Sequence, residues 1–128
     1  MDSMRFPKSE KLTHKALWEA AFLEGKTVKA YPLRLSFLPA EMPPGVRCQA
    51  GFAVPKRKFR NATDRNRIKR IMREAYRKEK GRLFNNTKGQ YALVFLYLGK
   101  ELPESRIVEK RMREVLGKIE SYEEAVED

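Results

Sequence analysis

Cysteine occurs once in the 128 residues, at Cys48, and histidine once, at His14. A lone cysteine excludes an internal disulfide and a cysteine-based metal cluster, and it fits a reducing compartment. A lone histidine without a carboxylate or cysteine near it in sequence excludes the usual acid–base and nucleophilic constellations. Glycine is scattered at the ends of segments, with neither a Gly-x-Gly-x-x-Gly nor a Walker-type loop to cradle a nucleotide. The acids are mostly glutamates towards the C-terminus, at spacings that surface charge explains and metal ligation does not require. No apolar run approaches the ~20 residues that span a bilayer, and Met1-Asp2-Ser3-Met4 lacks the charged start and apolar core of a signal peptide. A cytoplasmic protein without a membrane partner is expected.

Acidic residues are scarce in one stretch above all. Residues 55–82 hold 13 Lys/Arg against 3 Asp/Glu, a balance of +10 within a net charge of +11, whereas residues 101–128 hold 5 against 9, a balance of −4. The positive charge is therefore a patch, and a patch of this sign on a domain with 41% hydrophobic residues points to a polyanionic partner. The length suits one domain covering residues 1–128, with 1–11 and 123–128 expected to be loosely held.

Within the patch, the run Arg65-Asn66-Arg67-Ile68-Lys69-Arg70-Ile71-Met72-Arg73-Glu74-Ala75-Tyr76-Arg77 has helical period. Ile68, Ile71, Met72 and Ala75 fall within about a third of a turn, opposite Asn66, Arg70, Arg73 and Arg77. Asn61 is a good N-cap, Asp64 favours the helix start, and Gly81 is expected to end it. Arginine predominates among the donors, and its planar fork suits phosphate.

The remaining chain reads as helix and strand by turns. A first helix from about Thr13 to Gly25 places Leu17, Trp18, Ala21 and Phe22 on one face, and Gly25 suits a left-handed helix end. Tyr31, Leu33, Leu35 and Phe37 alternate with Pro32, Arg34 and Ser36 as a half-buried strand, which Pro32 restricts to a start or an edge. Val46, Cys48, Ala50, Phe52 and Val54 alternate likewise, with Cys48 a small core residue. The continuous apolar run 91–98 reads as a central strand covered on both faces. Pro103 opens a last amphipathic helix with Val108, Met112, Val115, Ile119 and Tyr122 on its stripe. The result is an α+β domain of order α-β-β-α-β-α, the basic helix crossing between the second and third strands.

The string Arg65-Asn66-Arg67-Ile68-Lys69-Arg70, followed by Arg73-Glu74-Ala75-Tyr76-Arg77 and preceded by Lys56-Arg57, resembles the RNR signature of the bacterial ribonuclease P protein family. That family has Ser-Lys-Lys and then a glycine before its Asn-Ala; this chain has Pro55-Lys56-Arg57 and then Lys58-Phe59-Arg60, one residue longer. The resemblance implies a small mixed sheet with an unusual left-handed βαβ crossover carrying the basic helix, an arrangement like ribosomal protein S5 domain 2. It further implies the protein subunit of a ribonucleoprotein that removes the 5′ leader of precursor tRNA, with catalysis by the RNA subunit. Mg²⁺ would be held mainly by that RNA, with none bound by the protein alone. Its partners would be the RNA subunit and precursor tRNA, with no obligate protein partner. Lys56, Arg57, Arg65, Asn66, Arg67, Lys69, Arg70 and Arg73 are the implied contacts to the RNA subunit. Trp18, Phe22 and Arg34 are the implied lining of a cleft for the single-stranded leader, where stacking on aromatics tolerates any base sequence. The family also uses a tyrosine on its first strand there; this chain has Ser36. A ribosomal-type or general RNA-binding domain without a part in cleavage, and a protein-only nuclease, are the alternative readings.

Overall fold

The structure, a computed structural model, describes residues 6–127. Its elements are α1 (Lys15–Glu24), β1 (Lys26–Ala30), β2 (Leu33–Pro39), β3 (Cys48–Ala53), α2 (Ala62–Asn86), β4 (Tyr91–Tyr97) and α3 (Ser105–Glu127). The four strands form one sheet in the order β1-β2-β4-β3. β2 pairs antiparallel with β1 and β4, while β3 and β4, joined through α2, are parallel. β4 is central and buried on both faces, as its unbroken apolar run requires. One face, with Leu33, Leu35, Phe37, Leu93, Phe95 and Ala50, packs on Ile68, Met72 and Ala75 of α2 and on Val108, Met112, Val115 and Ile119 of α3. The other face, with Ala92, Val94 and Leu38, packs on α1.

The sequence pattern does not announce β1. Its residues are KTVKA, with only Ala30 buried, so there is no apolar alternation to mark a strand. It is an edge strand whose Lys26 and Lys29 suit an unpaired edge, and it exists because β2 offers a partner across the turn at Tyr31 and Pro32. The order is thus α-β-β-β-α-β-α, and Tyr31, expected on the inner side of a strand, stands exposed at that turn.

Two glycines play other parts than expected. Gly81 does not end α2, which continues to Asn86. Gly25 does close α1, but with φ −69°, outside the left-handed region. What requires glycine there is close approach: a Cβ would lie 2.5 Å from the Ala21 carbonyl oxygen and 2.8 Å from that of Phe37. Both neighbours are backbone and cannot rotate away. Gly25→Ala is therefore expected to lower stability by about 1–3 kcal/mol through forced backbone displacement, read as a fall in the urea midpoint.

Of the two terminal stretches expected to be loosely held, residues 1–5 and 128 lie outside the described residues, and the described parts make specific contacts. Phe6 packs edge-on against Phe52 and Tyr76, with centroids 5.9 and 5.7 Å away, and Glu10 pairs with the buried Lys80 at 2.7 Å. Lys11 bridges to Ala50, so the segment covers the outer edge of β3. At the other end α3 runs through Glu123, whose carboxylate accepts from the Lys88 and Gly89 amides at 2.8 Å each and from the Tyr91 hydroxyl. Burial pushes that carboxyl up, but these three donors outweigh it and hold it below its ordinary range. Cys48 is core, and burial pushes its thiol up to about 11.

Candidate RNA interface

Two surfaces gather the singled-out side chains, one on each side of the sheet. The first is the N-terminal half of α2 with the loop that leads into it. Asn61 caps the helix, its side-chain oxygen accepting from the Thr63 amide at 2.8 Å. This starts the helix at Ala62, and Ile68 and Met72 then dock on the core with no exposure. The opposite face turns outward: Asn66, Arg67, Arg70 and Arg73 line an open groove with Thr63. Arg67 and Arg70 also border a second hollow shared with Ile71, Glu74 and Ser105. Lys56 and Arg57 stand exposed on the preceding loop, and Lys69 is half-buried on the flank of the helix.

The distribution of acids divides α2 in two. In its second half Arg77 pairs with Glu74, Lys78 with Glu109 at 3.1 Å and Lys80 with Glu10 at 2.7 Å, and Glu79 takes Arg113 at 3.4 Å. The hydrogen bond from Arg77 holds the Glu74 carboxyl below its ordinary range. In the first half and its loop, Lys56, Arg57, Arg67, Lys69, Arg70 and Arg73 have no carboxylate within 4 Å among the described residues. The patch seen as one run in sequence is thus partly neutralised, and apart from Arg82 its cations without a carboxylate within 4 Å among the described residues sit at the N-terminal end.

Arg65 stands apart from its neighbours. Three residues before Ile68, it lies about 60° from it on the helix, at the margin of the buried stripe. Its Nη1 donates to the carbonyls of Phe59 at 2.7 Å and Arg60 at 2.9 Å, so its guanidinium faces the loop and not the groove.

The second surface lies across α1. Trp18 and Phe22 are half-buried with ring centroids 5.9 Å apart at 35°, and the Arg34 guanidinium sits 5.5 Å from the centre of the Phe22 ring. Trp18 lies over Gly51, where a Cβ would meet its indole Nε1 at 2.6 Å. Arg34 faces Leu96 and Lys29 in the sheet register. Ser36 is buried beside Thr27, its hydroxyl 3.5 Å from Thr27 Oγ1, and contributes nothing to the open surface. His14 is exposed at the N-cap of α1, and its side chain makes no capping hydrogen bond.

Sequence reading missed Arg47, whose guanidinium is spent on the end of α2. Nη1 donates to the Phe84 carbonyl at 3.0 Å; Nη2 donates to the carbonyls of Thr87 at 2.7 Å and Gly89 at 3.2 Å. Nothing in its alternating surroundings distinguishes it from an outward-facing strand arginine.

The molecule is a single-domain α+β protein that presents a row of cations on one crossover helix and the loop before it. It belongs to the Ribonuclease P family, whose sequence profile matches residues 6–120. It is 36% identical over 116 residues to the ribonuclease P protein component of Porphyromonas gingivalis, covering 88% of this chain and 84% of that one. The corresponding protein of Chlorobaculum tepidum is 39% identical over 101 residues, 71% of this chain and 66% of that one. In fold it resembles the ribonuclease P protein of Thermotoga maritima, with a TM-score of 0.68 at 23% identity over 85% of this chain and 96% of that one.

Proposed function

We propose that this chain is the protein subunit of a ribonuclease P ribonucleoprotein, binding the catalytic RNA through α2 and the 5′ leader of precursor tRNA across α1. The observation that carries this reading is the separation of charge along α2, where the half that makes no ion pair among the described residues includes Arg67, Lys69, Arg70 and Arg73. Arginine forks spaced along an open groove suit the phosphates of a folded RNA. Such a cationic groove repels Mg²⁺, so the ions that activate the attacking water are assigned to the RNA subunit, and the protein's part is to position substrate and offset phosphate repulsion. Across α1, Trp18 and Phe22 are half-buried neighbouring aromatics and Arg34 is a cation beside them, a combination suited to stacking unpaired bases and holding their backbone without reading sequence.

The deciding experiment is cleavage of precursor tRNA by the protein alone, by its RNA subunit alone at low Mg²⁺, and by both together. Rescue only in the combination is expected; cleavage by the protein alone would make it a nuclease, and no effect on the RNA would leave a binding domain outside this reaction. Phe22→Leu keeps most of the apolar bulk and is expected to weaken precursor-tRNA binding by about 1–2 kcal/mol while mature tRNA binds unchanged. Should the melting temperature fall instead, with the preference for precursor intact, Phe22 serves the core and not the leader.

A further inference from the structure

The loop from Pro55 to Asn61, one residue longer than the related pattern, is pinned from several sides. The Phe59 amide donates to the Pro55 carbonyl at 3.2 Å, and the Phe59 ring is buried against Tyr97 with centroids 5.8 Å apart. Lys58 Nζ donates to the Leu98 carbonyl at 3.1 Å, tying the loop to the end of β4. Arg65 closes it from the helix side through the Phe59 and Arg60 carbonyls. These anchors use Lys58, Phe59 and Arg65 and leave Lys56, Arg57 and Arg60 exposed, with no carboxylate within 4 Å among the described residues.

A loop held this way presents its cations in a fixed arrangement, so little freedom remains to be lost when a polyanion binds. A solubilising charge would not require its backbone carbonyls to be fastened by a second arginine. We propose that Arg60 is a further phosphate contact for the same RNA that α2 binds, and that Arg65 is a positioning residue that fixes the loop carrying Lys56, Arg57 and Arg60. The inference rests on the RNA-binding reading of α2. Its step beyond that reading is to move Arg65 from the contact surface to the frame beneath it and to put Arg60 on the surface.

The test is binding of the cognate ribonuclease P RNA over a series of salt concentrations, with Arg70→Ala as the reference variant. Arg60→Gln is expected to weaken binding about 5- to 20-fold at low salt and to reduce the slope of log affinity against log salt by roughly 0.7–0.9, the signature of one lost phosphate. Arg65→Gln is expected to weaken binding as well, and adding Arg60→Gln to it should produce little further loss, because both act through one loop. Full additivity of the two losses would make Arg65 a direct contact and overturn its positioning role. If Arg65→Gln does not fold, Phe59→Leu, which loosens the loop from the Tyr97 side, takes its place in the cycle. An unchanged affinity and slope for Arg60→Gln beside a weakened Arg70→Ala overturns the inference and leaves the reading of α2 standing; unchanged binding for Arg70→Ala as well overturns that reading.

Discussion

Replacing Arg70 and Arg73 together by alanine is expected to weaken assembly with the ribonuclease P RNA by about 2–5 kcal/mol, roughly 30- to several-thousand-fold, while the thermal midpoint barely moves. Both side chains line the groove on the outer face of α2, opposite Ile68 and Met72, and neither has a carboxylate within 4 Å among the described residues. Their removal breaks no hydrogen bond or ion pair among the described residues, and alanine is the better helix former. Each lost fork should also remove one phosphate from the salt dependence, flattening the slope by roughly 0.7–0.9 per residue. Filter binding across a salt series, with circular dichroism as the fold control, reads both quantities. Undiminished affinity at low salt would show that the groove does not meet the RNA, and the assignment of α2 as the interface would fall.

Arg47→Met is expected to do the reverse. The guanidinium donates to three backbone carbonyls beyond the last core residue of α2, Leu83, and lies 5.6 Å from the centre of the Phe84 ring. Thr87 assists by donating its hydroxyl to the Leu83 carbonyl at 2.7 Å. A helix end normally leaves four carbonyls without partners, and here a side chain forty residues earlier supplies the donors. Hydrogen bonds from a charged group contribute about 1.5–3 kcal/mol each at best, and they are not additive when they share one guanidinium, so a loss of roughly 2–4 kcal/mol is expected. At this chain length that is roughly 3–5 °C of melting temperature per kcal/mol. RNA affinity measured well below the new midpoint should be unchanged. A variant that kept its stability but lost RNA affinity would move Arg47 from the scaffold to the interface.

These two arginines, Arg70 and Arg47, mark how far residue type carries. Both are cations in a strongly basic chain, yet one faces a groove and the other caps a helix, and their sequence neighbourhoods do not separate them. The same holds for Arg65, whose place in the Arg65-Asn66-Arg67 string suggests a contact while its guanidinium serves the Phe59 and Arg60 carbonyls. What does separate them is geometry: Arg65 sits at the edge of the buried stripe, and Arg70 lies across the helix from it.

The elements encoded in short stretches are legible in the amino-acid sequence by itself. The apolar stripe of α2, the Asn61 cap, the unbroken run of β4 and the stripe of α3 each depend on residues within one or two turns of each other, where spacing alone decides which side is buried. The concentration of positive charge on one segment is likewise a property of composition. Tertiary structure alone decided the rest. β1 forms because β2 lies ready to pair with it, and α2 runs past Gly81 because Leu83 is buried and Arg47 reaches across from the start of β3. The positive patch is partly neutralised because Glu10, from the N-terminal segment, and Glu109, from α3, come to rest against the second half of α2. Each of these depends on groups far apart in the chain or on a partner element already in place, and their separation in space is set only when the sheet and helices have packed.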